Sequence, residues 1–123
     1  MVLVDTSVWI DHLRRTNDTL SQLLGANQVL IHPMIIGELA CGNLRNRPQL
    51  LELWQQLPMA RQANHPEVLH TIEQHQWMGK GIGYIDSHLL ASSLLTPGTL
   101  LWTQDVRLRN LAQKIEISFN PPS

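Results

Sequence analysis

Residues 1–7 read MVLVDTS, a continuous apolar run followed at once by an acidic residue and two hydroxyl residues. An unbroken apolar run of this kind is typical of a strand buried on both faces of a parallel sheet. Asp5 and the two residues after it have side chains that favour the start of a helix. The stretch therefore predicts a strand-to-helix unit, the building block of an α/β fold.

Further strands and helices alternate along the rest of the chain. Apolar runs and turn residues predict strands at residues 28–31, 99–103 and 116–119. Apolar periodicity and capping residues predict helices at residues 6–15, 19–24, 34–41, 48–57, 66–78, 86–95 and 105–114. Residues 120–123 are expected to be a frayed tail. We expect an α/β domain with a mainly parallel central sheet of about four or five strands, flanked by helices.

Composition limits the classes of protein to consider. A chain of 123 residues with 43% hydrophobic content forms one domain, residues 1–123, with room for a buried core. The single cysteine, Cys41, excludes an intrachain disulfide, and no apolar run approaches the about 18 residues that a membrane span needs. We therefore expect a cytoplasmic protein that does not enter a membrane.

Net charge gives no general attraction to nucleic acid. Nine basic and ten acidic residues leave a formal charge of −1, so attraction to RNA would have to be local. The arginines group in three places, each soon after a segment that carries an acidic residue: Arg14 with Arg15, Arg45 with Arg47, and Arg107 with Arg109. They could form a basic rim around an acidic centre, although such arginines are often only solvated surface.

Four acidic residues stand out by position, namely Asp5, Glu38, Asp86 and Asp105. Asp5 and Asp105 follow apolar strands, and ligands of open parallel sheets bind outside the carboxyl ends of the strands. Asp86 is expected to cap the helix over residues 86–95. For each aspartate, plain helix capping is about as good an explanation as a functional role when the residue is taken alone.

Glu38 is the most informative acid because it lies in an otherwise apolar or small-residue helix, which predicts that the helix is surrounded by protein on most sides. Its neighbours three and four positions away cannot form an ion pair with it. A buried carboxylate needs a partner. That partner is either a metal ion shared with the three aspartates or an arginine from another element.

Four carboxylates gathered at one sheet edge repel one another and attract a divalent cation. Oxygen ligands suit Mg²⁺ or Mn²⁺ better than zinc, which favours His and Cys. Such ions can activate a water and neutralise phosphate charge, so the acids are candidate catalytic and metal-binding residues. Ser7 and Thr103, each two residues from an aspartate, could orient a carboxylate or contact a substrate phosphate.

Four segments together resemble the signature segments of PIN-domain ribonucleases, in particular the VapC-type toxins of bacterial toxin–antitoxin pairs. They are residues 1–10 (MVLVDTSVWI), 36–39 (IGEL), 86–91 (DSHLLA) and 101–105 (LWTQD). The resemblance implies a Mg²⁺- or Mn²⁺-dependent endoribonuclease in which Asp5, Glu38, Asp86 and Asp105 bind metal and a metal-activated water attacks RNA. It implies that Ser7 and Thr103 support the metal site and substrate, and that Asp105 is the more variable acid.

The resemblance also implies partners: an RNA substrate, a second copy in a homodimer, and a cognate antitoxin whose C-terminal segment blocks the site, with toxin–antitoxin hetero-oligomers as a further form. The nearly neutral charge fits recognition of a particular folded RNA better than nonspecific binding. The main alternative is a catalytically idle PIN-like module that binds RNA or protein. A haloacid-dehalogenase-type phosphatase would need a second aspartate where Ser7 lies, and a Rossmann domain would need its glycine fingerprint.

Overall fold

The computed structural model describes residues 1–122, and Ser123, the last residue of the expected tail, lies outside the described residues. Three strands and seven helices are present in the described part of the chain. The strands are β1 (Val2–Val4), β2 (Val29–Leu30) and β3 (Leu100–Trp102). The helices are α1 (Thr6–Arg14), α2 (Asp18–Gly25), α3 (Pro33–Ala40), α4 (Arg47–Gln56), α5 (His65–His75), α6 (Tyr84–Leu95) and α7 (Val106–Lys114).

The sheet is parallel throughout, with strand order β2-β1-β3. Its central strand is therefore the strand predicted from the first apolar run, and its residues Val2, Leu3 and Val4 are all buried. Parallel strands covered by helices on their faces need apolar side chains in both directions, which explains why this strand has no alternation. The prediction of an α/β fold with a mainly parallel sheet is confirmed.

The strand count is lower than the predicted four or five. Ser118 forms only an isolated parallel bridge to Leu101, so the expected strand over residues 116–119 is reduced to one bridge; Met59 forms the same contact with Ile31 at the other edge. Each bridge rests on two backbone hydrogen bonds of 2.7–2.9 Å, such as the bond from the Phe119 amide to the Leu101 carbonyl. The edge segments turn away after one residue, so no ladder develops.

Helices pack on this sheet and on one another. Helix α1 contacts α3, α3 contacts α4, α5 contacts α6, and both α6 and α7 contact β3. All four tryptophans are buried, and the rings of Trp9 and Trp54 meet edge to face at 5.9 Å. None of the helices in residues 1–122 combines the length and apolar character needed to cross a bilayer.

Candidate acidic active site

The carboxyl ends of β1 and β3 meet at one edge of the sheet, because the two strands are parallel and adjacent. The Asp5 amide donates a 2.9 Å hydrogen bond to the Trp102 carbonyl, so the residues after these strands lie side by side. Asp5 and Thr103 are consequently neighbours although 98 positions separate them in the chain.

The Asp5 carboxylate accepts hydrogen bonds from hydroxyl groups and none from the backbone amides of α1. Asp5 occupies the N-cap position immediately before α1, but its side chain makes no capping hydrogen bond. Instead its Oδ2 accepts hydrogen bonds from Thr103 Oγ1 at 2.7 Å and from Ser7 Oγ at 2.9 Å. Only 6% of Asp5 is exposed. The capping alternative therefore fails for Asp5, and Ser7 and Thr103 orient its carboxylate, one of the two roles considered for them.

Asp105 does cap a helix. Its Oδ1 accepts a 3.0 Å hydrogen bond from the Leu108 amide at the start of α7, and its own amide donates to Thr103 Oγ1 at 3.1 Å. The residue is exposed. Capping fixes the carboxylate against the helix N-terminus, and the Thr103 hydroxyl links Asp105 to Asp5. Capping of α7 by Asp105 is thus compatible with its predicted role as a metal ligand.

Glu38 differs from the expectation of a buried carboxylate, because the structure places it on an exposed face of α3. Only Ile35 and Leu39 of this helix are buried, so an apolar composition did not mean burial on all sides. Within residues 1–122 the hydrogen-bond partner of Glu38 is not an arginine: Oε1 accepts a 2.9 Å bond from Thr6 Oγ1 at the start of α1. This bond ties α3 to the helix that follows Asp5.

Asp86 is not the cap of its helix, contrary to the prediction, because α6 begins two residues earlier at Tyr84 with Gly83 as its N-terminal cap. The Asp86 carboxylate lies in the first turn, where it reaches back to the Gly83 amide at a long 3.5 Å. The residue is half-buried. The first turn of α6 therefore holds the Asp86 side chain, and its carboxylate points back toward the Gly83 amide.

The pKa of Asp86 reflects its burial and the charges of the other three acids. It is raised to about 6, first by burial and then by the carboxylates of Asp5, Asp105 and Glu38 in that order, while the hydrogen bond from the Gly83 amide opposes the rise. The acids therefore influence one another electrostatically. That all four carboxylates meet at one metal site, and that they act as metal ligands, stays a prediction.

The four acids and the hydroxyl groups bonded to them have the chemistry of a site for a hard divalent cation. Its members are all carboxylate oxygens with hydroxyl support, which is the chemistry that Mg²⁺ and Mn²⁺ prefer. Mutual repulsion at Asp86 is the penalty that a bound cation removes. In the described residues no group of three or more His, Cys, Asp or Glu side chains stands close enough to enclose an ion. The residues fit a divalent cation chemically, and the acids would have to draw together to hold it.

Two supporting residues were not anticipated from the sequence. The Gln104 amide donates to Ser7 Oγ at 3.1 Å, and its side chain donates to Asp11 Oδ2 at 2.9 Å, which joins α1 to the segment after β3. His32 caps α3 through Nδ1, which accepts from the Met34 amide, and its Nε2 lies 3.1 Å from Ser92 Oγ on α6. A His-Pro pair at a helix start was the available signal for His32.

The expected basic rim around the acids stays a prediction, and the arginines lie in different surroundings. Arg14 and Arg45 line one groove of about 610 Å³ between α1 and the segment before α4. Arg109 lines a separate cavity beside Thr103. Arg47 is used structurally, since its guanidinium donates to the Ala40 and Gly42 carbonyls after α3 at 2.6 and 3.1 Å.

Comparison with known proteins found a matching family model and two relatives. The family model described as "PIN domain" matches residues 2–114. Two relatives named "Ribonuclease VapC32", from the CDC 1551 / Oshkosh and ATCC 25618 / H37Rv strains of Mycobacterium tuberculosis, are each 42% identical over 109 residues. Each alignment covers 89% of this chain and 88% of the relative. The match includes the four acidic positions, which all lie between residues 2 and 114.

Proposed function

This chain belongs to the PIN-domain family, and from that premise we propose that it is a divalent-metal-dependent endoribonuclease acting as the toxin of a type II toxin–antitoxin pair. The observation that supports the proposal is that the adjacent ends of β1 and β3 place Asp5 and Asp105 on either side of the Thr103 hydroxyl, while the charges of Asp5, Asp105 and Glu38 contribute to the raised pKa of Asp86. The relatives' name, ribonuclease, supports the same class of reaction. Residues 1–123 are proposed to act as one nuclease domain.

The four carboxylates would hold Mg²⁺ or Mn²⁺. When bound, such an ion supplies positive charge that neutralises the scissile phosphate and lowers the pKa of an attacking water. The protein contributes orientation: Ser7 and Thr103 fix the Asp5 carboxylate, and Thr6 positions Glu38. Asp86, whose pKa is about 6, is mostly ionised at neutral pH and is therefore ready to bind a cation.

The phosphodiester bond is cleaved by hydrolysis in this proposal. A water oxygen attacks phosphorus, the bond from phosphorus to one bridging oxygen breaks, and the departing oxygen takes up a proton. The acidic cluster would repel RNA phosphates without a cation, because all four carboxylates carry the same charge as the substrate. Metal binding and substrate binding are therefore expected to be coupled.

Partners follow from the same proposal. A cognate antitoxin would inhibit the enzyme, and the toxin would form a homodimer or a toxin–antitoxin hetero-oligomer in the cytoplasm. Exposed apolar side chains on α1 support a protein partner: Ile10 is 40% and Leu13 39% exposed, and both line the groove that contains Arg14 and Arg45. An apolar groove with basic residues suits a segment with apolar and acidic side chains.

The deciding experiment is cleavage of total cellular RNA by the purified protein and by Asp5→Asn, with Mg²⁺, with Mn²⁺ and with EDTA. Asp18→Asn is the matched control, because Asp18 is an exposed aspartate in the first turn of α2. We expect discrete products from the wild type and the control only with metal, and none from Asp5→Asn. Absence of cleavage by protein free of antitoxin would favour the idle binding module.

A further inference from the structure

A cavity of about 470 Å³ opens beside the acidic site. We propose that it binds one unpaired guanine base of the RNA and thereby sets the cleavage position, an inference that rests on the ribonuclease function proposed above. The cavity will be called the Arg109 cavity. The lining residues on which the inference depends are Thr103, Gln104, Arg109, Gln113 and Phe119.

The Arg109 cavity is joined directly to the candidate catalytic centre. Thr103 lines the cavity, and its hydroxyl donates the 2.7 Å bond to Asp5. Gln104, the next lining residue, has its amide bonded to Ser7 Oγ at 3.1 Å. A nucleotide whose base enters the cavity therefore keeps its phosphate within reach of the acids, as a subsite for cleavage specificity requires.

The wall of the cavity presents groups that recognise a base edge. Arg109 and Gln113 are four positions apart on α7 and so lie on the same face of that helix. Arg109 is half-buried, and no carboxylate is among the residues lining the cavity. An arginine pairs with the two acceptors of guanine, O6 and N7, through two parallel hydrogen bonds. An amide adds a donor and an acceptor in the same plane.

An aromatic surface is available for the face of the base. Phe119 is half-buried and lines the cavity, and its ring is supported by buried Trp102 at a centroid distance of 5.1 Å. The Phe119 amide is bonded to the Leu101 carbonyl at 2.9 Å, which fixes the segment to the sheet edge. Stacking on aromatic rings with hydrogen bonding at the edge is how proteins read unpaired RNA bases.

Overall charge is consistent with this form of recognition. The net charge of −1 gives little nonspecific attraction to RNA. Selectivity must then come from a local contact with particular groups of the substrate. A cavity that offers one guanidinium and several amides supplies that contact without making the surface strongly basic.

The test compares four variants on helix α7. Arg109→Ala and Gln113→Ala remove cavity groups, while Lys114→Ala and Asn110→Ala remove a charge and an amide from exposed positions of the same helix outside the lining. Each protein digests total RNA with Mg²⁺ or Mn²⁺, and the product ends are sequenced. Thermal melting confirms that all variants are folded.

We expect wild type to favour guanine at one fixed position near the cut. Arg109→Ala and Gln113→Ala should each reduce this preference about fivefold or more, whereas the two controls should keep it. An unchanged preference in both cavity variants, no preference in the wild type, or an equal loss in the controls would overturn the inference and leave the ribonuclease function standing.

A binding measurement separates the inference from the proposed function. Two proteins are compared: the Asp5→Asn variant and the double variant that also carries Arg109→Ala. Each is titrated with oligouridylates that carry A, C, G or U at the central position. Tighter binding of the G-containing oligonucleotide, lost with Arg109→Ala, supports the cavity assignment even if the wild type cleaves no RNA. Equal affinity for all four oligonucleotides refutes it.

Discussion

The Thr103 hydroxyl donates a 2.7 Å hydrogen bond to the buried carboxylate of Asp5, and this bond connects the ends of two adjacent parallel strands. The same hydroxyl accepts from the Asp105 amide at 3.1 Å. One side chain thus positions two of the candidate metal ligands. A hydroxyl that orients a ligand is expected to affect activity nearly as much as the ligand itself.

Thr103→Val should therefore lower metal-dependent cleavage about 10–100-fold, since it keeps the shape of the side chain and removes the hydroxyl. It should also lower the free energy of unfolding by about 1.5–3 kcal/mol, because Asp5 loses a hydrogen bond to a charged group. Thr71→Val is the control, as the Thr71 hydroxyl bonds only a backbone carbonyl on an exposed helix. Initial cleavage rates and urea denaturation measure both effects; equal behaviour of the two variants would contradict the assignment.

Glu38→Gln should abolish activity without unfolding the protein. The amide oxygen of Gln can still accept the bond from Thr6, so the contact between α1 and α3 survives while the charge is lost. We expect cleavage to fall about 100-fold or more, because loss of a direct ligand exceeds loss of a group that only supports one. Glu52→Gln, an exposed glutamate on α4, should cleave like the wild type. Retained activity in Glu38→Gln would exclude Glu38 from the metal site.

The raised pKa of Asp86 makes stability depend on pH. Because the pKa of Asp86 is about 6 in the folded protein and the ordinary value for an aspartate is 3.8, the folded state holds the proton more tightly than the unfolded chain. This contribution favours folding below pH 3.8 and is lost as pH rises through 6. Asp86→Asn should therefore raise the melting temperature at pH 7.5 without metal, on the order of a few °C, and change it little at pH 3.5.

Divalent cations provide the second half of the Asp86 test. Mg²⁺ or Mn²⁺ should raise the melting temperature of the wild type above pH 6, where Asp86 is ionised, and less below it. Asp86→Asn should lose most of this response. If adding Mg²⁺ or Mn²⁺ leaves the melting temperature of the wild type unchanged at every pH, the result would contradict a cation site among these acids.

His32 gives a pH dependence of the opposite kind. Burial, with a smaller contribution from His88, lowers the pKa of His32 to about 4 from 6.5. The unfolded chain binds this proton more readily, so the stabilising contribution is complete above pH 6.5 and is lost as pH falls toward 4. His32→Asn keeps an acceptor for the Met34 amide and should flatten the decline of unfolding free energy by up to about 1.4 kcal/mol per pH unit. Parallel curves for the two proteins would refute this.

Two glycines form a matched pair for the connector between α5 and α6. Gly79 and Gly81 both have positive φ, +70° and +83°, but only at Gly81 would an added Cβ meet the Arg107 side chain, at 2.5 Å from its Cδ. Gly79→Ala should cost about 1–2 kcal/mol through backbone strain alone. Gly81→Ala should cost the same strain and also displace Arg107. Chemical denaturation of both variants measures the difference, and identical losses would show that Arg107 moves freely.

Sequence patterns predicted those features that depend on local order along the chain. The buried strand at residues 1–4, the acids after β1 and β3 and the hydroxyl support at Ser7 and Thr103 all follow from strand ends in a parallel sheet. The burial of Glu38 was predicted wrongly, because an apolar helix contacts the core through Ile35 and Leu39 and leaves its other face open. Composition cannot tell which face of such a helix is covered.

Local sequence patterns also did not predict the first residue of α6 or the number of strands in the sheet. Gly83 caps α6, so Asp86 lies in the first turn of the helix and not at its cap. The segments at Met59 and Ser118 each form only a single bridge to the edge of the sheet. The number of residues that pair along a sheet edge depends on tertiary packing, which local sequence does not specify.

The central position of β1 has a consequence for the order of folding. The pairing of Val2–Val4 with Leu100–Trp102 closes a long loop, and 98 positions separate Asp5 from Thr103. The segment before β3 contains Asp5, Glu38 and Asp86 but lacks the strand and the hydroxyl that orient Asp5. Because contacts of such large sequence separation form slowly, we expect the Asp5 carboxylate to become oriented late in folding.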